Sequence, residues 1–123
     1  MKILILEDNI NRIEKFKILF KNQELYITDN IKQAEEYCQR IEFRVMFLDH
    51  DLDNKIWVDS NEENTGYQFV KWMVDNKLLK DSLIYIHSMN PCGANRMLNY
   101  LLDNNYDGIW QPYHLLKLED ISG

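Results

Sequence analysis

Lys2-Ile3-Leu4-Ile5-Leu6-Glu7-Asp8-Asn9 is wholly apolar after its first residue and then stops abruptly at two acids. A short run without polar interruption reads as a strand buried on both faces, the environment of a central strand in a parallel sheet. Val45-Met46-Phe47-Leu48 repeats the pattern and ends in Asp49-His50-Asp51; Leu83-Ile84-Tyr85-Ile86 repeats it again and ends in His87-Ser88. Leu25-Tyr26-Ile27 and Gly108-Ile109-Trp110-Gln111-Pro112 are expected as shorter second and fifth strands. Between the strands the period changes. Ile10, Ile13, Phe16, Leu19 and Phe20 recur at helical spacing, as do Ala34, Tyr37, Cys38 and Ile41 after a cap at Asp29 or Asn30. A third helix is expected after Thr65-Gly66, through Tyr67, Val70 and Val74, and a fourth over Pro91 to Asn104. Strands alternating with helices imply βαβ units with right-handed crossovers, hence an α/β fold with a doubly wound, five-stranded parallel sheet.

The 123 residues suit one domain, 1–123, and show no repeat, low-complexity stretch or linker. A composition of 46% hydrophobic and 28% charged residues is that of a globular protein. No apolar run approaches the roughly 20 residues that span a bilayer, and Glu7-Asp8 interrupts the chain before a signal-peptide core develops. A cytoplasmic protein without membrane association is therefore expected. Cys38 and Cys92 stand far apart and give neither a zinc framework nor a disulfide scaffold. The net charge of −6 argues against a grip on extended duplex DNA while leaving room for a nucleotide or an RNA end in a local pocket. With no effector segment after residue 123, DNA binding is expected to need a separate partner.

In an open α/β sheet the ligand crevice lies beyond the carboxyl ends of the strands. Those ends supply Glu7 and Asp8; Asp49, His50 and Asp51; His87, Ser88 and Asn90; and Gln111, Tyr113 and His114. Glu7, Asp8, Asp49 and Asp51 are candidate metal ligands, because converging carboxylates repel unless a cation or proton intervenes, and oxygen donors suit Mg²⁺. As solvated helix caps the same acids need no ion. Ser88, Asn90, Gly93 and Arg96 surround the start of the fourth helix, where backbone N–H groups and the helix dipole favour a phosphate and a guanidinium adds a fork. An ordinary surface arginine is the alternative for Arg96.

His50 and His87, on strands expected to be neighbours, are candidates for an acid and a base, with Asp49 beside them. Strand alternation sends Asp49 and His50 to opposite faces unless the chain has already turned. Trp57, Trp110 and Tyr113 are candidates for stacking on a base, with core packing the stronger expectation for Trp110. The polar stretch 53–64 is long for an α/β connection and reads as a lid or binding loop.

Taken together these residues resemble a response-regulator receiver domain. Glu7-Asp8 matches the acidic pair after the first strand, Asp49 the phospho-accepting aspartate, Ser88 the Thr/Ser after the fourth strand, and Gln111-Pro112 the Lys-Pro after the fifth. The resemblance implies a flavodoxin-like sheet of strand order 2-1-3-4-5. Gln111 departs from the family's lysine, the cation that senses a phosphorylated aspartate. Leu48-Asp49-His50-Asp51-Leu52, His87-Ser88-Met89-Asn90-Pro91 and the long loop look like the cyclic-phosphate processing receiver-like group. That resemblance implies a phosphoesterase acting on a 2′,3′-cyclic end of RNA or a nucleotide, carried onto His50, His87, Asp49 and the surrounding acids. The alternative is a degenerate receiver serving as a signalling or protein-binding module.

Overall fold

A computed structural model describes residues 1–52 and 59–113. Trp57 and His114 lie outside the described residues. The elements run β1 (Lys2–Leu6), α1 (Ile10–Leu19), β2 (Glu24–Thr28), α2 (Ile31–Arg40), β3 (Val45–Leu48), α3 (Gly66–Asp75), β4 (Leu83–Ile86), α4 (Pro91–Asp103) and β5 (Asp107–Trp110). All strand pairs are parallel and the order is β2-β1-β3-β4-β5. The five-stranded, doubly wound α/β architecture expected from the apolar runs is the one observed.

The apolar runs are central for a physical reason. Ile3 to Leu6 of β1 and Met46 to Leu48 of β3 are essentially inaccessible to solvent, whereas the edge strands β2 and β5 keep exposed positions. Alternation divides the core in two. Leu4, Leu6, Met46, Leu48, Ile84 and Ile86 face α2, α3 and α4, packing with Ala34, Phe69, Val70, Ala94 and Met97. Ile3, Ile5, Val45, Phe47 and Tyr85 face α1, packing with Phe16 and Phe20. Phe47 lies 5.3 Å from both Phe16 and Phe20 and 5.1 Å from Tyr85, centroid to centroid.

Each helix starts where a short polar side chain can cap it. Asn9 Oδ1 accepts from Asn11 and Arg12, Asn30 Oδ1 from Lys32 and Gln33, Thr65 Oγ1 from Gln68, and Asn90 Oδ1 from Gly93. Pro91 occupies the first turn of α4, where its missing N–H is harmless. Gly66 opens α3 at a point where the chain passes the end of β3, and its N–H donates to His50 O at 3.0 Å. A methyl group on Gly66 would overlap the Asp49 carbonyl oxygen, a backbone atom that cannot move alone. Gly66→Ala is therefore expected to cost about 1–3 kcal/mol, as overpacking does. Urea denaturation reads this as a lower midpoint at unchanged slope; an unaltered midpoint would refute the close packing of α3 against β3.

Candidate functional site

Glu7, Asp49 and His87 each stand one residue beyond a central strand. Leu6 pairs with Leu48 and Leu48 with Ile86, and the ladder continues one step further: Asp49 N–H donates to Leu6 O and His87 N–H to Leu48 O, both at 3.0 Å. The three residues are thus in register across β1, β3 and β4. They also share the face of Ile5, Phe47 and Tyr85, two positions earlier on their strands, and so look toward α1. The result is a cluster of two carboxylates and an imidazole, with one ligand-capable atom from each lying within 4.8 Å of the others. All three side chains are buried.

Glu7 is the most tightly held. Its Oε2 accepts the backbone N–H groups of Asp8 and Asn9, both at 3.0 Å, closing the turn into α1, and its Oε1 accepts from His87 Nε2 at 2.9 Å. Burial pushes the Glu7 carboxyl up, but the hydrogen bond and charge of His87, the N–H bonds of the turn and Arg12 outweigh it and hold it at about 2. An ionised Glu7 accepts only, so Nε2 of His87 carries hydrogen. The ring stands edge-on to Phe16 with centroids 5.3 Å apart, and its buried Nδ1 has no hydrogen-bond partner among the described residues.

Asp49 experiences the opposite balance. Burial pushes it up to about 6, with Glu7 adding to the rise and His87, the His50 N–H and Arg12 opposing it. Asp49 Oδ1 accepts from His50 N–H at 2.8 Å, while Oδ2 faces Arg12 Nη1 at 3.7 Å. Arg12 Nη1 is also 3.7 Å from Glu7 Oε1. The Arg12 guanidinium and the Lys15 ammonium each lie 5.0 Å from the centroid of the Tyr113 ring, and Tyr113 N–H donates to His87 O at 3.1 Å. Arg12 and Tyr113 thereby form the rim of the cluster. Arg12 was hidden in the sequence because it lies on the polar face of an amphipathic helix.

His50 belongs elsewhere. Its ring is fully buried on the opposite face of the sheet, against Gly93 of α4, where a side chain on Gly93 would strike the imidazole. Nδ1 meets Asp51 Oδ1 at 2.8 Å and Nε2 meets Ser60 Oγ at 2.9 Å; Asn90 Nδ2 donates to the same Asp51 oxygen at 3.1 Å. Asp51, His50 and Ser60 together pin the β3–α3 connection to the start of α4. The expected acid–base pair of His50 and His87 is therefore divided by the sheet, as strand alternation requires.

The same network bears on two further expectations. Asp51 lies with His50 and Asn90, away from the metal-capable cluster, and Asp8, half-buried, is outside that cluster as well, while His87 joins it. The residues expected around a phosphate are engaged locally. Ser88 Oγ accepts from Asn90 N–H at 3.0 Å, Asn90 caps Gly93, Gly93 holds the His50 ring, and the Arg96 guanidinium lies 4.9 Å from the centroid of the Tyr67 ring. Trp110 is partly buried against the α2–α4 side of the core and donates its indole N–H to Ser88 O at 3.0 Å.

Residues 2–103 match the model of the cyclic-phosphate processing receiver domain. The chain belongs to that family. Solved receiver structures share the fold at low identity. The receiver domain of sensor histidine kinase PA1611 from Pseudomonas aeruginosa superposes with a TM-score of 0.69 at 14% identity, over 98% of this chain and 89% of that one. That structure has a magnesium ion coordinated in its active-site cleft. A sensor protein from Polaromonas sp. JS666 gives 0.69 at 15%, over 98% and 88%, and chemotaxis protein CheY4 of Vibrio cholerae gives 0.65 at 17%, over 96% and 89%. None of the curated proteins compared matches the chain.

In this cyclic-phosphate processing receiver domain the donor set fits a divalent cation. Two carboxylates supply oxygens of the kind Mg²⁺ takes, and the imidazole widens the choice toward Mn²⁺ or Zn²⁺. In the metal-free domain the two acids make opposite demands on pH. The raised Asp49 binds its proton more tightly in the folded state, so its contribution to stability falls as pH rises from its ordinary 3.8 through about 6. The lowered Glu7 contributes stability that is present above its ordinary 4.5 and is lost as pH falls toward about 2. With a chelator present, Asp49→Asn should raise Tm by a few degrees near neutral pH, the gain shrinking toward about pH 4. Thermal denaturation across that range checks it, and a gain independent of pH would refute the assignment to the Asp49 carboxyl.

Proposed function

We propose that this domain is a phosphoesterase that hydrolyses a 2′,3′-cyclic phosphate on a nucleotide or an RNA end, using the Glu7–Asp49–His87 cluster. The observation that carries the reading is the convergence of three buried ionisable groups on one face at the carboxyl ends of three adjacent strands. Burying such groups costs free energy unless they are paired or hold an ion, so a site of this kind is a candidate for chemistry. Membership of the cyclic-phosphate processing family supplies the substrate class.

Hydrolysis adds water across one P–O bond. The water oxygen bonds to phosphorus, the ribose O2′ or O3′ leaves and takes up a proton, and the product is a phosphomonoester. Asp49 Oδ2, the oxygen that faces Arg12, accepts a hydrogen bond from the attacking water and orients it. His87, whose Nε2 hydrogen is held by ionised Glu7, takes the water's proton at Nδ1, the nitrogen without a partner among the described residues, and passes it to the leaving oxygen, Glu7 steadying the charge on the ring in between. A divalent cation held by Glu7 and Asp49 would polarise the phosphoryl oxygens as a Lewis acid. His50 acts at a distance, by bonding Asp49 through its N–H and anchoring the loop that follows.

The test is hydrolysis of adenosine 2′,3′-cyclic phosphate, and of an RNA ending in one, with Mg²⁺ or Mn²⁺ and with chelator. His87→Gln should lower kcat by roughly 10²- to 10⁴-fold, the usual worth of a positioned acid or base, at little change in KM. His50→Gln should act mainly on stability. Chelation should remove activity if the carboxylates work through a metal. A wild-type domain that leaves both substrates intact in every metal would reject the enzyme reading and favour a receiver used as a binding module, with Asp49 phosphorylation as its signature.

A further inference from the structure

Receiver domains carry a lysine after the fifth strand, and here that position is Gln111. The cluster nevertheless has a cation at its edge, supplied by α1. Arg12 is the third residue of α1, in the turn where the helix dipole is positive and disfavours a cation. The placement is unfavourable for the helix and favourable for the site, since the guanidinium faces Glu7 and Asp49 together at 3.7 Å.

Those distances are attractive but too long for hydrogen bonds. Among the described residues the Arg12 guanidinium donates none, although it is the most donor-rich of side chains. Its side chain is 28% exposed, so one edge reaches solvent at the rim while the other looks into the buried cluster. Tyr113 steadies it without using its donors, the ring lying 5.0 Å from both Arg12 and Lys15 and its own position fixed by the backbone bond to His87 O. Meanwhile the start of α4, where a phosphate was expected, is filled by its own cap and by the His50 ring.

We infer that Arg12 is the phosphate-binding residue of this site: its guanidinium fork takes two non-bridging oxygens of the substrate phosphate, with Lys15 adding a second positive charge behind the Tyr113 ring. The inference rests on the phosphoesterase reading above and names the part of the site that selects a dianionic or monoanionic phosphate end. A planar fork matches phosphate oxygens in a way an ammonium does not, so arginine and lysine are not equivalent here. Arg12 also competes with any metal for Glu7 and Asp49. Removing it should therefore have effects of opposite sign on the two ligands.

Titration calorimetry of the full chain with adenosine 2′-monophosphate and adenosine 3′-monophosphate, the candidate products, and separately with Mg²⁺ alone, separates these effects. Arg12→Gln should weaken nucleotide binding by roughly 10- to 100-fold, the size of a lost charge-assisted hydrogen bond, while tightening Mg²⁺. Arg12→Lys should recover only part of the nucleotide affinity and leave Mg²⁺ near the wild-type value. A role confined to holding α1 in place predicts instead that both ligands weaken together, or that neither changes, and either result overturns the inference. Unchanged nucleotide affinity in Arg12→Gln, with the wild type active on the cyclic phosphate, rejects Arg12 alone. A wild type that neither binds the nucleotides nor turns over the cyclic phosphate rejects the phosphoesterase reading and the inference with it.

Discussion

The hydrogen bond between Glu7 and His87 joins the two ends of the construction. It ties the first strand to the fourth across 80 residues of sequence, over the end of the strand between them, and it closes a buried carboxylate on a buried imidazole. Leaving either group alone would strand a polar side chain where water cannot reach it, and removing one partner of such a pair is strongly destabilising. The other features are arranged around this contact. The turn after β1 delivers two N–H groups to the second Glu7 oxygen, α1 starts where that turn ends, and Phe16 of α1 covers the imidazole. Asp49 then enters a space whose charges are already set.

A second, quite different device works on the other face. His50, Asp51, Ser60 and Asn90 form a hydrogen-bonded clasp whose purpose is geometric: it fixes the path of the chain leaving β3 and joins it to α4. Adjacent residues in one strand-end motif thus serve separate ends. Asp49 contributes charge to the cluster and His50 contributes rigidity beneath it, linked by the single N–H bond between them. Gly66 and Gly93 are small because backbone and ring approach them closely, Asp49 at the one and His50 at the other.

The sheet was readable from the apolar runs because hydrophobic burial on both faces leaves an unmistakable pattern, and the helices from a change of period, with Asn30, one of the two expected caps, capping α2. The strand ends were readable for the same reason, so Glu7, Asp49 and His87 could be named as candidates before their contacts were known. What the pattern could not convey was which neighbours share a face once the strand has ended. His50 looked like a partner for His87 because both follow strands expected to be neighbours, yet the two-residue period had already sent it to the other side. Asp51 went with it. Arg12 left no trace because an arginine on the polar side of a surface helix is ordinary, and its meaning comes from the tertiary approach of α1 to the ends of β1 and β3.

That two-residue period also bears on how such a domain tolerates change. One residue inserted between Leu48 and Asp49 would put the newcomer in the place of Asp49 and move the carboxylate across the sheet to the space against Gly93. An insertion beyond Asp51 leaves Asp49 and His50 at their places at the end of β3. Variation in length is thus expected to be concentrated a few positions downstream of the acid, with the segment from β3 to Asp51 held to a fixed count. The long connection can drift in sequence and size while the chemistry at its root stays in phase.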